Sequence, residues 1–490
     1  MKQTAQKPKR VWHKHTVIHY ARLVTWIVAL LFGIGLWIAS SFWDSRHSPY
    51  DSNEALAYDP GEIIAEPEPR VFNAISTMYI EGADLIRPNW DRPDHEAALA
   101  AQGANDFAFK LSAALASEIG YDNFVFSPYS VWMPLAALLN ATTYEHRPAL
   151  LDALSAGRLS PEDINRAASR MLFDLTNELA RREGWGAWGA SEASNLHIAN
   201  AIFVNHGLTL SREFAQTFMD YYRGKMISVN FLSHDAVEEV NLWASDNTNG
   251  LITEIVQEFD PWTVAAIVNA IYFSDSWAAQ FNPDQTERDA FHSPVGDSYA
   301  YFMRMEWPNW RDPSTLYFED DRIQAIELPF SGGGGLTIIL PKDGDAVGLL
   351  ASMTSGYFDR IQRDAVLAEG LLLLPRFSIE NSIDGLKDAL IALGVPLFDE
   401  DAVPLTGRLI EEEYQALWVG SAVQVAMIEV DEEGTTAAAV TMMDVATDSG
   451  PPPPEATFKM ICNRPFVFVL HRRTTDGGWQ VLFAGVVNQP

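Results

Sequence analysis

The segment Glu429-Val-Asp-Glu-Glu-Gly-Thr-Thr-Ala-Ala-Ala-Val-Thr441 joins a charged strand end to a glycine and then to a run of small side chains. Thr435 to Thr441 carry little bulk and no charge, so they can lie as an exposed loop or slide as a strand between two others without rebuilding a packed core. Taken alone, Thr435-Thr-Ala-Ala-Ala439 also suits a helix or a plain linker. Read as a strand, it has a face pattern. With Thr435 inward, Ala437, Ala439, Thr441, Met443 and Val445 are inward too, while Ala438, Val440, Met442 and Asp444 face solvent. The inward set is uncharged throughout, and Asp444 falls on the wet side. An ionised side chain on the inward face would cost several kcal/mol to bury without a partner and would stall such a strand.

Further segments extend the pattern outward. Downstream lie Asn463-Arg-Pro-Phe-Val-Phe468 and Phe483-Ala-Gly-Val-Val-Asn488. Upstream lie Asn123-Phe-Val-Phe-Ser127-Pro-Tyr-Ser130, Leu196-His-Ile-Ala-Asn200, Thr248-Asn-Gly250, Asn269-Ala-Ile-Tyr-Phe273, Trp277, Phe281, Thr286, Phe291-His292, Glu327-Leu-Pro329 and Leu374-Pro-Arg-Phe377. In order and spacing, from about Asn105 to the C-terminus, these segments resemble the serpin family. That resemblance implies a mixed α+β fold with a large central sheet, two smaller sheets, surrounding helices and an exposed reactive-centre loop.

Composition bounds the rest. Hydrophobic residues make up 48% and aromatic residues 11%, ample for a large folded core. The single cysteine, Cys462, rules out an internal disulfide. Leu23 to Trp43 is an uncharged apolar stretch long enough to cross a bilayer, with Trp26, Trp37 and Trp43 along it. Lys2, Lys7, Lys9, Arg10, Lys14 and Arg22 precede it with no acid among them, so the positive-inside rule places the N-terminus in the cytoplasm and the remainder outside. A cleaved signal peptide, cut near Ala39-Ser40-Ser41, is the competing reading and would yield a secreted form. The expected organisation is a basic tail over 1–22, a signal-anchor helix over 23–43, an acidic proline-containing stalk over 44–102 and one folded domain over 103–490, with its loop at about 432–457. Beyond the six basic residues of the tail, 28 Lys and Arg face 65 Asp and Glu, since 34 − 6 = 28. That field repels nucleic acid and heparin-like polyanions.

Gly-x-Ser-x-Gly elbows, His-Glu-x-x-His helices and paired-cysteine motifs are missing, and the eleven histidines show no metal-ligand spacing. The sequence gives no reason to expect catalysis, a metal or a cofactor. Gly332 to Gly335 precedes the strand-like Leu336-Thr-Ile-Ile-Leu340 and reads as a hairpin turn.

The resemblance implies a suicide-substrate inhibitor of serine-type or cysteine-type endopeptidases. The protease attacks the loop, forms an acyl-enzyme, and is trapped when the loop's upstream arm inserts into the main sheet. A non-inhibitory serpin-like binding protein is the alternative. The implied hinge is Glu432, Glu433, Gly434, Thr435, Thr436, Ala437, Ala438, Ala439 and Val440. In the family the attacked residue usually lies fourteen positions after the hinge glycine, which gives the reactive bond Asp448-Ser449. Counting back from Pro465 lands instead among Pro451 to Pro454. Residues implied to gate opening of the sheet are Ser127, Ser130, Asn269 and Trp277, together with Gln424, which stands where many serpins carry a histidine and which cannot titrate near neutrality.

Overall fold

A computed structural model describes residues 95–176, 195–308, 315–383, 385–401, 404–405, 408–411, 417–435, 456–474 and 478–490. All of them belong to one compact unit, Phe72–Pro490. The described helices are α1 (His95–Ile119), α2 (Pro128–Leu138), α3 (Arg147–Ala153), α4 (Pro161–Thr176), α5 (Arg212–Tyr222), α6 (Asp235–Asn247), α7 (Ala346–Ser352), α8 (Ser355–Asp364) and α9 (Leu386–Ala392). The described strands are β1 (Phe124–Phe126), β2 (Asn195–Asn205), β3 (Lys225–Val229), β4 (Ala265–Ser276), β5 (Glu287–Ser293), β6 (Gly296–Trp307), β7 (Thr315–Glu319), β8 (Ile323–Pro329), β9 (Gly335–Pro341), β10 (Val366–Pro375), β11 (Phe377–Ser382), β12 (Val425–Val430), β13 (Gly434–Thr435), β14 (Ala456–Ile461), β15 (Phe466–Arg473) and β16 (Trp479–Val487).

Helix α1 begins eight residues before position 103. It buries Ala100, Ala104, Phe107, Ala108, Leu111 and Leu115 along one stripe, the three-to-four spacing of a helix laid on a core. Gly120 closes it in the left-handed region, at φ 58°. Asn105 pins the helix to β16: its Nδ2 donates to Trp479 O at 2.7 Å, and its Oδ1 accepts from Val481 N at 3.0 Å. Helix α2 is apolar nearly all round and correspondingly buried.

The strands form two sheets. One has six strands in the order β11-β12-β13-β4-β2-β3; the other has ten, in the order β1-β16-β15-β9-β8-β7-β10-β6-β5, with β14 parallel to β10. The two smaller sheets expected from the sequence are thus continuous through β10. Its ten residues are long enough to serve two partners in turn, with Val366–Ala368 on β7 and Gly370–Pro375 on β6. The fold is the expected mixed α+β serpin architecture. Between the sheets, Phe377 packs against Phe466 and Phe468, and β16 is buried along its whole length, as a strand covered on both faces must be. A separate smaller core of Phe203, Phe231 and Trp243 lies beneath α6.

The membrane-anchored, outward-facing placement is corrected. Among the described residues no helix is long and apolar enough to cross a membrane. The longest, α1, has the length but carries Glu96, Asp106, Lys110 and Glu118. The tail 1–22, the segment 23–43 and the stalk up to residue 94 lie outside the described residues.

Candidate functional site

The described part of the expected hinge, Glu432 to Thr435, lies at one end of the six-stranded sheet. Asp431 opens it with a turn: its Oδ1 accepts from Glu433 N at 2.8 Å and Gly434 N at 3.1 Å, and its own N–H donates to Gly434 O at 3.1 Å. Gly434 and Thr435 then run as β13 between two longer strands, Thr435 opposite Val430 of β12 on one side and opposite Asp275 of β4 on the other. Close approach explains the glycine. A Cβ at position 434 would fall 2.1 Å from Asp275 O and 2.8 Å from Ser276 Cα, so any side chain would push β13 off β4. Thr435 is buried, with its Oγ1 3.5 Å from Asp275 O.

Glu432 fixes the hinge from below. Its carboxylate accepts from Arg376 Nη2 at 2.6 Å, from Arg376 Nε at 2.9 Å and from the Thr286 hydroxyl. Burial alone would raise this carboxyl, but the bonds from Arg376 and Thr286 outweigh it and hold it below the ordinary carboxylate value. The Glu432 and Glu433 carbonyls accept from Phe281 N at 3.0 Å and Trp277 N at 2.9 Å, and Trp277 Nε1 donates to Asp431 O at 2.8 Å. Trp277 itself stacks on Phe330, with ring centroids 4.8 Å apart.

Strands β4 and β12 meet only through β13 among the described residues. Below Thr435 a cleft continues between them, lined by Ile271, Phe273, Ile428, Leu470 and Phe483 among others. Further down lie the residues expected to gate the sheet. Gln424 bonds the backbone of Ser127 twice, its Oε1 accepting from Ser127 N at 2.9 Å and its Nε2 donating to Ser127 O at 2.8 Å. Ser127 Oγ caps α2 by accepting from Ser130 N at 3.3 Å. Asn269 Nδ2 donates to Asn200 Oδ1 at 2.8 Å. Two buried oxygens here, Ser130 Oγ and Asn269 Oδ1, have no hydrogen-bond partner among the described residues. Ser127, Ser130 and Gln424 therefore sit together at the base of the strand gap, Asn269 lies on the β4 edge, and Trp277 sits apart at the top with the hinge. Thr436 to Val440 and the bond Asp448-Ser449 lie outside the described residues.

Several residues that build this site were not legible as such in the sequence. Arg376 stood only within a longer matched segment and Thr286 only as a single matched position, and their convergence on Glu432 spans 56 and 146 positions. Asp275 and Arg472 form a buried pair behind the hinge. The one local signal was for Asp275, an acid between two serines in the otherwise aromatic stretch Tyr272-Phe-Ser-Asp-Ser-Trp277.

With this architecture in place, the family follows. Residues 102–490 match the serpin (serine protease inhibitor) family, and the chain belongs to it. It is 28% identical over 424 residues to an uncharacterized serpin-like protein of Thermococcus kodakarensis, which covers 85% of this chain and 91% of that protein. To serpin A3-5 of Bos taurus it is 29% identical over 400 residues, 80% of this chain and 89% of the other. In three dimensions it is similar to the native state of the thermophilic serpin tengpin, with a TM-score of 0.68 at 24% identity over 85% of this chain and all of that one. This last likeness concerns the fold alone.

Proposed function

We propose that this serpin is a suicide-substrate inhibitor of serine-type, or cysteine-type, endopeptidases, and that the arm beginning at Gly434 inserts between β4 and β12 when the loop is cut. The observation that carries the reading is β13 itself: the arm starts already paired on both edges, above an apolar cleft. Continuing its register downward would bring Ala437 opposite Phe273 and Ile428, and Thr441 opposite Asn269 and Gln424. Small apolar side chains would then meet the apolar part of the gap. The hydroxyl of Thr441 would arrive beside Asn269 Oδ1, the acceptor left without a partner.

The protease nucleophile would attack the Asp448 carbonyl, release the amine of Ser449 and leave an ester or thioester. About fourteen residues from Thr435 at ~3.3 Å each give an arm of roughly 46 Å to carry the enzyme before water deacylates it. Asp448 presents a carboxylate to the enzyme's primary pocket, which favours targets with a basic residue there over trypsin-like enzymes. Incubation with a protease panel, followed by a denaturing gel, tests the reading: a covalent complex supports it, and complete cleavage without complex by every enzyme defeats it. Mass spectrometry of the released C-terminal peptide tests the bond, which is refuted by a peptide beginning near Met443 in place of Ser449.

A further inference from the structure

Behind the hinge, a pair of opposite charges is buried where four elements meet. Asp275 belongs to β4, and both its side chain and that of Arg472 on β15 are largely or wholly removed from solvent. Asp275 Oδ2 accepts from Gly332 N at 3.1 Å and Oδ1 from the same N–H at 3.2 Å, in the turn between β8 and β9, and Oδ2 lies 3.6 Å from Arg472 Nη2. The guanidinium donates onward, from Nη2 to Gly332 O at 3.1 Å and from Nη1 to Leu175 O at 3.0 Å near the end of α4. It also lies over the Phe273 ring at 5.9 Å. One ion pair thus ties the end of β4 to the β8–β9 turn, to β15 and to α4. The backbone of that same aspartate is what the hinge rests on: its carbonyl sets the close approach of Gly434 and faces Thr435 Oγ1.

We infer that Asp275 and Arg472 are positioning residues for loop insertion, a buried clamp that holds the end of β4 at the register where Gly434 and Thr435 are seated. A buried ion pair is weak as a source of net stability, because desolvation offsets most of the attraction, but it is strict about geometry. Here the geometry it fixes is the height of one strand end against two neighbouring layers. Shifting β4 by one residue would turn every inward side chain of the paired arm outward. The clamp therefore selects which residues of the arm face the cleft, beyond holding the hinge in place.

Two measurements test this. The first does not depend on inhibition: hydrogen exchange at Gly434 and Thr435 in Asp275→Asn should rise by about tenfold or more over a control variant matched for melting temperature, such as Phe231→Leu in the separate core under α6. Arg472→Lys, which keeps the charge but loses the fork to Gly332 and Leu175, should show the same local loosening if Asp275→Asn fails to fold. Equal exchange in the clamp variants and the control overturns the inference and leaves the pair as ordinary packing. The second measurement rests on the inhibitory reading. In the wild type the target forms a covalent complex, and in the clamp variants the fraction of cut loops that trap enzyme should fall by about fivefold or more at an unchanged cleavage rate. A wild type that forms no complex defeats the inhibitory reading but not the clamp, which the exchange data still decide. A wild type that traps and variants that trap equally well defeat its role in insertion.

Discussion

Ala437→Arg isolates the inserted face of the arm. In the register set by Thr435 opposite Asp275 and Val430, position 437 would come to lie opposite Phe273 and Ile428, above a cleft floored by Leu470 and Phe483. The nearest acid on that face, Asp275, is already committed to Gly332 and Arg472, and Glu429 is exposed on the other side of β12. A guanidinium placed there would be buried without a partner, at a cost of about 4 kcal/mol after relaxation. If half of that is felt at the barrier, insertion slows roughly 30-fold. Hydrolysis of the acyl-enzyme, which does not involve this face, keeps its rate. The ratio of inhibitor molecules cleaved to inhibitor molecules that trap enzyme should then rise roughly 30-fold. Titration of residual protease activity gives the number directly, and a denaturing gel shows cleaved chain replacing complex. Ala438→Arg supplies the control, since the same charge one residue along faces solvent and should leave trapping within about twofold. Equal loss in both variants would mean that charge on the loop, not burial in the cleft, is responsible; undiminished trapping by Ala437→Arg would show that this face is never buried.

Glu432→Gln should lower the melting temperature at neutral pH, with about 2 kcal/mol lost from the charged hydrogen bonds to Arg376 and Thr286. Because the native carboxyl titrates below its ordinary value of 4.5, the wild type's advantage is full above that pH and vanishes as pH falls through the lowered value, which a series of melting curves can follow. His471 behaves as a buried neutral base: burial, with the nearby Arg473 charge, lowers its pKa from 6.5 to about 3, while Glu327 Oε2, 3.8 Å away, is shared with Arg473. The unfolded chain takes up that proton first, so this group costs the wild type about 2 kcal/mol between pH 6.5 and pH 5, and melting of His471→Gln should depend less on pH over that window. Gly434→Val should lose β13, seen as a rise in hydrogen exchange at Thr435, because even a Cβ would stand 2.1 Å from Asp275 O. A nick between Val445 and Ser449 should raise the melting temperature by tens of degrees, roughly what completing the six-stranded sheet and relieving its strain implies, and unchanged melting would count against insertion.

The fold was legible because its marks are local. Asn269-Ala-Ile-Tyr-Phe273 and Phe466-Val-Phe468 combine strand propensity with burial, and each lies within a strand. Gly332 to Gly335 read as a turn and is one, with Gly333 and Gly334 at positive φ. The joining of two expected sheets into one was not legible, since it depends on which neighbours β10 meets at each end and not on β10 itself. The supports of the hinge escaped for the same reason. Arg376 is half exposed and reads as a solvated strand end, yet it closes on Glu432; Arg472 follows an apolar strand as one of two arginines, and only the fold shows that it turns inward while Arg473 turns out. The placement across a membrane rested on Leu23 to Trp43 and the six basic residues before it, and no described element carries it.

The parallel pairing of β14 with β10 makes the two ends of the loop unequal. Upstream, residue 435 is moored by a strand of two residues; downstream, Ala456–Ile461 is laced into the ten-stranded sheet and leads into β15 and β16, which are buried almost throughout. A cut between them releases the short mooring and leaves the long one untouched. The C-terminal piece, although no longer covalently joined, stays held by three strands, β15 and β16 paired on both sides and β14 paired with β10. The severed chain should remain one particle in gel filtration and come apart only when the whole body unfolds.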